Sequence, residues 1–168
     1  MTDAKSLRAR YVTNPDAAKY TYHVECRGDP MEDAIHVEAT SSAHGGSWKV
    51  SVNERIGGTG GEPTPGDLLL AALASCHTLA LKMTAAALGV RLASLVVVAE
   101  GDIDHRGVLL MDPTVRPGFT EIRLHVRVEA PGADPDRLRR VLEAASRSCA
   151  ATDALRNGAP IQVTQEIV

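Results

Sequence analysis

Polar and apolar positions alternate over Ser47 to Asn53: Trp48, Val50 and Val52 fall on one side, and Ser47, Lys49, Ser51 and Asn53 on the other. That period of two predicts a half-buried strand. It returns over Phe119 to Ala130, where Ile122, Leu124, Val126 and Val128 stand against Arg123, His125, Arg127 and Glu129. Less regular β-forming runs, Tyr20 to Cys26 and Ala34 to Ala39, predict two earlier strands around the turn formers Gly28-Asp29-Pro30. Ala93 to Ile103 predicts another, and Ile161, Val163 and Ile167 mark a short final strand.

Between these runs the period changes. From Thr64 the chain reads Thr-Pro-Gly-Asp and then an apolar run, so Thr64 predicts a helix cap, Pro65 suits the first helical position and Asp67 completes a capping box. Gly89 closes the helix. Only Asp67 and Lys82 are charged between Pro65 and Leu88, which predicts a central helix covered on nearly all sides. Asp134 and Pro135 open a second helix whose Leu138, Val141, Leu142 and Ala145 recur at threes and fours; Cys149 extends that apolar face. Strands, buried helix, two strands, amphipathic helix and strand together predict an α+β domain, with helices packed on a largely antiparallel sheet. At 168 residues the chain fits one domain, with N-terminal strands over about 7–56 and a core over 64–168.

Composition narrows the function classes. The 21 acidic and 18 basic residues are scattered, so no basic stripe for nucleic acid stands out, and 3% aromatics leave few stacking platforms. The polar start, Met1 to Arg8, lacks the apolar stretch of a signal peptide. The longest apolar run, Leu68 to Leu81, is 14 residues, too short to span a bilayer. No phosphate-loop or dinucleotide motif is present, and Gly57-Gly-Thr-Gly-Gly61, without a following lysine, reads as a connection. His23, His36, His44, His77, His105 and His125 share no ligand spacing, so neither a metal nor another cofactor is expected. His77 reads as a helix residue at a partly covered surface, His125 as solvated.

Three cysteines, Cys26, Cys76 and Cys149, are an odd and low count that suits a reducing cytoplasm better than a disulfide framework. A cysteine on an apolar helix face is commonly a small packing residue. Two of them, each beside sequence able to tune a thiolate, also admit redox chemistry.

The segment Thr64-Pro-Gly-Asp-Leu-Leu-Leu-Ala-Ala-Leu-Ala-Ser-Cys-His-Thr78, together with Cys149-Ala-Ala-Thr-Asp-Ala-Leu-Arg-Asn-Gly158, resembles the OsmC/Ohr family of osmotically inducible and organic hydroperoxide resistance proteins. Ala99-Glu-Gly-Asp-Ile-Asp-His-Arg-Gly107 is similar to the strand after the central helix in OsmC-like members. The likeness runs from about Trp48 to the C-terminus, and more loosely from Leu7. It implies an OsmC-like fold, an intertwined homodimer with active sites at the subunit interface, and a thiol peroxidase acting on organic hydroperoxides. By the same resemblance Cys76 would be peroxidatic and Cys149 resolving, with a dithiol or a lipoylated protein as reductant.

The chain departs from that pattern in one consequential place. The family's glutamate, which holds an activating arginine, belongs in an Asn-Pro-Glu turn; here the turn is Thr64-Pro65-Gly66. Asp67, one residue later, is displaced by about 100° around the helix and reads as a cap. Glu62 and Arg55 are the other candidates for an activating pair, and Ala150 replaces the proline that often follows the resolving cysteine. These departures leave an alternative: a noncatalytic OsmC-like module binding a hydrophobic small molecule at the dimer interface.

Overall fold

A computed structural model describes residues 4–28 and 30–167; Asp29, within the expected turn, lies outside them. A helix absent from the sequence expectations, α1 (Ala4–Thr13), comes first. Then β1 (Val24–Arg27), β2 (His36–Ser41) and β3 (Ser47–Ser51) form an antiparallel sheet in that order, with Val37 opposite Val50 and Ala39 opposite Trp48. Here the expected alternation holds only in part. Val50 is buried, but so is Ser51, while Trp48 lies exposed, because this sheet makes little contact with the helical part of the chain.

The long helix α2 (Pro65–Ala87) begins and ends as its sequence requires. Thr64 Oγ1 accepts from the Asp67 amide at 3.2 Å, and Asp67 Oδ2 accepts from the Thr64 amide at 2.8 Å, completing the reciprocal box. Gly89 then leaves the helix at φ +65°, a left-handed conformation that favours glycine. Next, β4 (Ser94–Asp102) pairs antiparallel with β5 (Glu121–Glu129), Val97 opposite Val126, across a connection that holds a one-turn helix, α3 (His105–Val108). Asp134 caps α4 (Pro135–Ser148) by accepting from the Arg137 amide at 2.7 Å, and α5 (Ala150–Asn157) follows after a break.

The core lies where α2 meets α4 and β4. Leu81, Ala85, Val90, Val141 and Ala145 form one buried cluster, with Leu138, Leu142, Leu95 and Val97 packed around it. On α2 the buried positions are Leu73, His77, Leu81 and Ala85, four apart along a single stripe.

Three expectations are corrected. First, α2 is covered along that stripe only: Leu79 and Met83 are 57% and 70% exposed, since its neighbours α4, α5 and β4 supply too little surface to enclose it. Second, Cys149 is not within a helix. Its φ of -79° and ψ of 104° end α4 and start α5, so the sulfur sits at a hinge. Third, residues 159–167 form no strand, and Ile161, Val163 and Ile167 are exposed, because alternation holds a strand only where a neighbouring edge is available. The surface area carries the same message. The chain exposes 12945 Å² at 17.8 kDa, where a folded monomer of that mass exposes about 8,000 Å².

Candidate active site

The break at Cys149 carries chemistry as well as geometry. Cys149 is the N-cap of α5, without a side-chain hydrogen bond to the amides of its first turn. Burial pushes the Cys149 thiol up. Against that, the Thr152 hydroxyl and amide, the Cys76 thiol and the Ala151 amide favour the thiolate by hydrogen bonding, and together they hold the thiol below its ordinary value. Cys149 is 1% exposed. Thr152 is also buried, and its Oγ1 has no hydrogen-bond partner.

Cys76 is near enough to Cys149 to favour its thiolate, although 73 positions separate them. The packing of α2 against α4 and α5 brings them together. All three cysteines are free thiols; Cys76 is half-buried, and Cys26, on β1, is exposed and plays no part in this arrangement.

His77, expected at a partly covered surface, is 6% exposed on the buried stripe of α2, with Nδ1 unpartnered. Burial, followed by the charge of Arg156, lowers its pKa and keeps the imidazole neutral near pH 7. His125 is solvated as expected, its ring 3.2 Å from Glu100.

A cavity of 630 Å³ opens between the first half of α2, the β4–β5 pair and α5. Its walls are mainly apolar, with Leu69, Leu73, Ile103, Phe119 and Leu124, while Thr152, Arg156 and Arg116 add polar groups. Leu73, about one turn before Cys76, and Thr152, three residues after Cys149, line it, while neither sulfur does.

The chain's single phenylalanine packs against two glycines at this cavity. A Cβ at Gly66 would lie 3.2 Å from Phe119 Cζ, and a Cβ at Gly101 would lie 2.7 Å from the same ring. Phe119 thus fills the space beside Gly66, and both glycines are needed for its seat.

The other sequence candidates go elsewhere. Arg55 and Glu62 line a separate polar cavity with Asn53, Glu54 and Thr64, and Glu62 faces His36 Nε2 at 3.8 Å. Asp67 is committed to the cap, where the Thr64 amide and then the Thr64 hydroxyl hold its carboxyl below the ordinary value. Because the folded pKa is lowered, this contribution to stability is present above the unfolded pKa of about 3.9 and is lost as pH falls through the folded value. Thr64→Ala should cost about 1 kcal/mol in chemical denaturation at pH 7, and less below pH 3.

The residues that sequence reasoning missed are Thr152, Arg156 and Phe119. Only Thr152 had a local signal, its place three residues after Cys149, and that spacing matters only once Cys149 is known to begin a helix.

With the fold and the sulfur pair described, comparison with known proteins decides the family. A family model described as OsmC-like protein matches residues 58–164. The chain belongs to the OsmC-like family. Its fold is similar to that of an OsmC-like protein from Mycoplasma pneumoniae, with a TM-score of 0.67 at 18% identity over 83% of this chain and 90% of that one. An organic hydroperoxide resistance protein from Elizabethkingia anophelis gives 0.64 at 19% identity, over 83% and 91%. The organic hydroperoxide resistance protein OsmC from Legionella pneumophila gives 0.62 at 19%, over 82% and 90%. No curated protein matches the chain. At these identities the structural likeness establishes the α+β OsmC fold, and the matched segment contains both Cys76 and Cys149.

Proposed function

We propose that this OsmC-like protein is a cytoplasmic thiol peroxidase that reduces organic hydroperoxides in oxidative stress defence. The observation that supports it is that two free thiols, Cys76 on α2 and Cys149 between α4 and α5, lie on elements packed together next to an apolar cavity lined by their near neighbours Leu73 and Thr152. Cys76 sulfur attacks the distal peroxide oxygen, the O–O bond breaks, and an alcohol leaves as Cys76 becomes a sulfenic acid. Cys149 then condenses with it, giving a disulfide and water. A dithiol or a lipoylated protein returns both sulfurs to thiols. The apolar lining suits an alkyl or lipid chain better than hydrogen peroxide, which offers nothing to bury. No metal or other cofactor is needed for any of these steps.

The working unit is proposed to be an intertwined homodimer. The excess surface, the bare side of α2 and the exposed apolar residues after Gly158 support it, since extensive exposed apolar surface marks an interface. In sedimentation the protein should run at twice 17.8 kDa, with no monomer at micromolar concentration. A single 17.8 kDa species would contradict the dimer.

The direct assay supplies purified protein with cumene or tert-butyl hydroperoxide and a dithiol, and follows peroxide loss and the Cys76–Cys149 disulfide by mass. Absence of both turnover and disulfide would refute the peroxidase. One feature favours a second reading: with Phe119 beside Gly66, the family's glutamate has no counterpart. A noncatalytic module would instead retain an apolar small molecule in native mass spectrometry, with thiols inert to peroxide.

A further inference from the structure

We infer that Phe119 is the fixed end wall of the 630 Å³ cavity and sets the length of apolar chain that the cavity buries. The ligand class this selects is a hydroperoxide whose carbon body spans about eight carbons. The inference rests on the peroxidase reading above, from which the cavity takes its role as the substrate site. It adds a specificity-determining residue and a size limit to that reading.

The wall is held by backbone on two sides. The Phe119 ring lies between the first turn of α2 and β4: a Cβ at Gly66 would meet its Cζ at 3.2 Å, and one at Gly101 would meet Cδ1 and Cε1 at 2.7 Å. Neither glycine takes a positive φ, so what each supplies is room for the ring and not a special backbone conformation. Main chain within a helix or a strand cannot retreat as a side chain can, so the ring is fixed along that line. Phe119 is half-buried and lines the cavity from this seat.

The length follows from α2, which gives the cavity Gly66, Leu69 and Leu73. From Gly66, beside the ring, to Leu73 the helix advances seven residues, a span of about 10 Å. The Leu73 end is the reacting end, since Cys76 follows within a turn and Thr152, three residues after Cys149, lines the same cavity. A peroxide group must enter there, so its carbon body lies back along α2 against Leu69, Ile122 and Leu124 and meets Phe119. An extended chain advances about 1.25 Å per carbon, from bonds of about 1.5 Å and angles near 111°, so about eight carbons fill the span. Longer chains still bind, but their further carbons turn aside at the ring. The segment that carries the ring lines the cavity with Arg116 and Glu121 as well, charged groups that give such carbons little to bury against.

The test titrates reduced, full-length protein calorimetrically with straight-chain primary alcohols of about five to twelve carbons, which mimic the hydroperoxides without reacting. Affinity should rise about fourfold with each added carbon, the gain for one buried methylene, and level off near eight carbons. In Phe119→Ala the break should move about three carbons longer, the reach of the lost ring, and in Phe119→Leu about one. Hexanol, too short to touch the ring, should bind all three proteins alike, which a general loss of structure would not allow. Should the alanine variant not fold, the leucine variant carries the test. A break at the same length in parent and variants, or a rise without any break in the parent, would overturn the inference. The alcohols report on the cavity whether or not a peroxide is consumed. A parent that shows the break yet leaves cumene hydroperoxide intact would therefore refute the peroxidase and keep the length limit.

Discussion

Replacing Cys76 with serine is expected to lower hydroperoxide turnover by about 10³-fold or more, to the level of the uncatalysed reaction with the dithiol. Only a thiolate is a strong nucleophile toward a peroxide oxygen at neutral pH, and a serine hydroxyl beside Cys149 would not ionise there. The loss should appear in kcat/KM with the fold unchanged, because Cys76 is half-buried and the replacement is close in size. Cys149→Ser should behave differently: no disulfide forms, and Cys76 accumulates as a sulfenic acid that dimedone labels. Peroxide consumption by Cys76→Ser at a rate near the parent's would exclude Cys76 as the attacking group.

The largest effect on stability is expected at Leu81. It is 1% exposed and sits in the cluster with Ala85, Val90, Val141 and Ala145, where α2 meets α4. Leu81→Ala removes buried methyl groups and leaves a cavity that Val141 and Ala145, on a helix fixed by its own cap, cannot close. The cost should be about 2–5 kcal/mol, a fall in Tm of roughly 5–15 °C for a chain of this length. Calorimetry at one fixed protein concentration reads this cleanly, since dimerisation adds a concentration-dependent contribution. Met83→Ala, on the exposed side of α2, should cost little in an isolated subunit. A large loss there, with a weaker dimer, would mark that side as the interface.

Short-range chemistry made much of the fold legible. Thr64, Pro65 and Asp67 specify a helix start because their hydrogen bonds close within four residues, and Asp134 with Pro135 does the same for α4. The alternation from Ile122 to Val128 gave β5, since a strand with one covered face needs nothing beyond its own pattern and a neighbour. Where the pattern failed, a distant partner decides. Ile161, Val163 and Ile167 alternate as a strand should but find no edge within the chain, and Trp48 faces outward because no helix covers its sheet.

The site divides along the same line. Sequence by itself determined the two cysteines, the apolar character of the surrounding segments and the absence of a glutamate at Gly66. It could not say that Cys149 ends one helix and begins another, because no proline or glycine marks the break. Nor could it say that the helix carrying Cys76 packs against both helices that Cys149 joins, or that Phe119 fills the space beside Gly66. Those are decided by the packing of α2 against α4 and α5, which sets distances between residues far apart in the chain. A thiol's charge depends on what lies within a few ångströms of it, so the identity of the thiolate belongs to the tertiary structure.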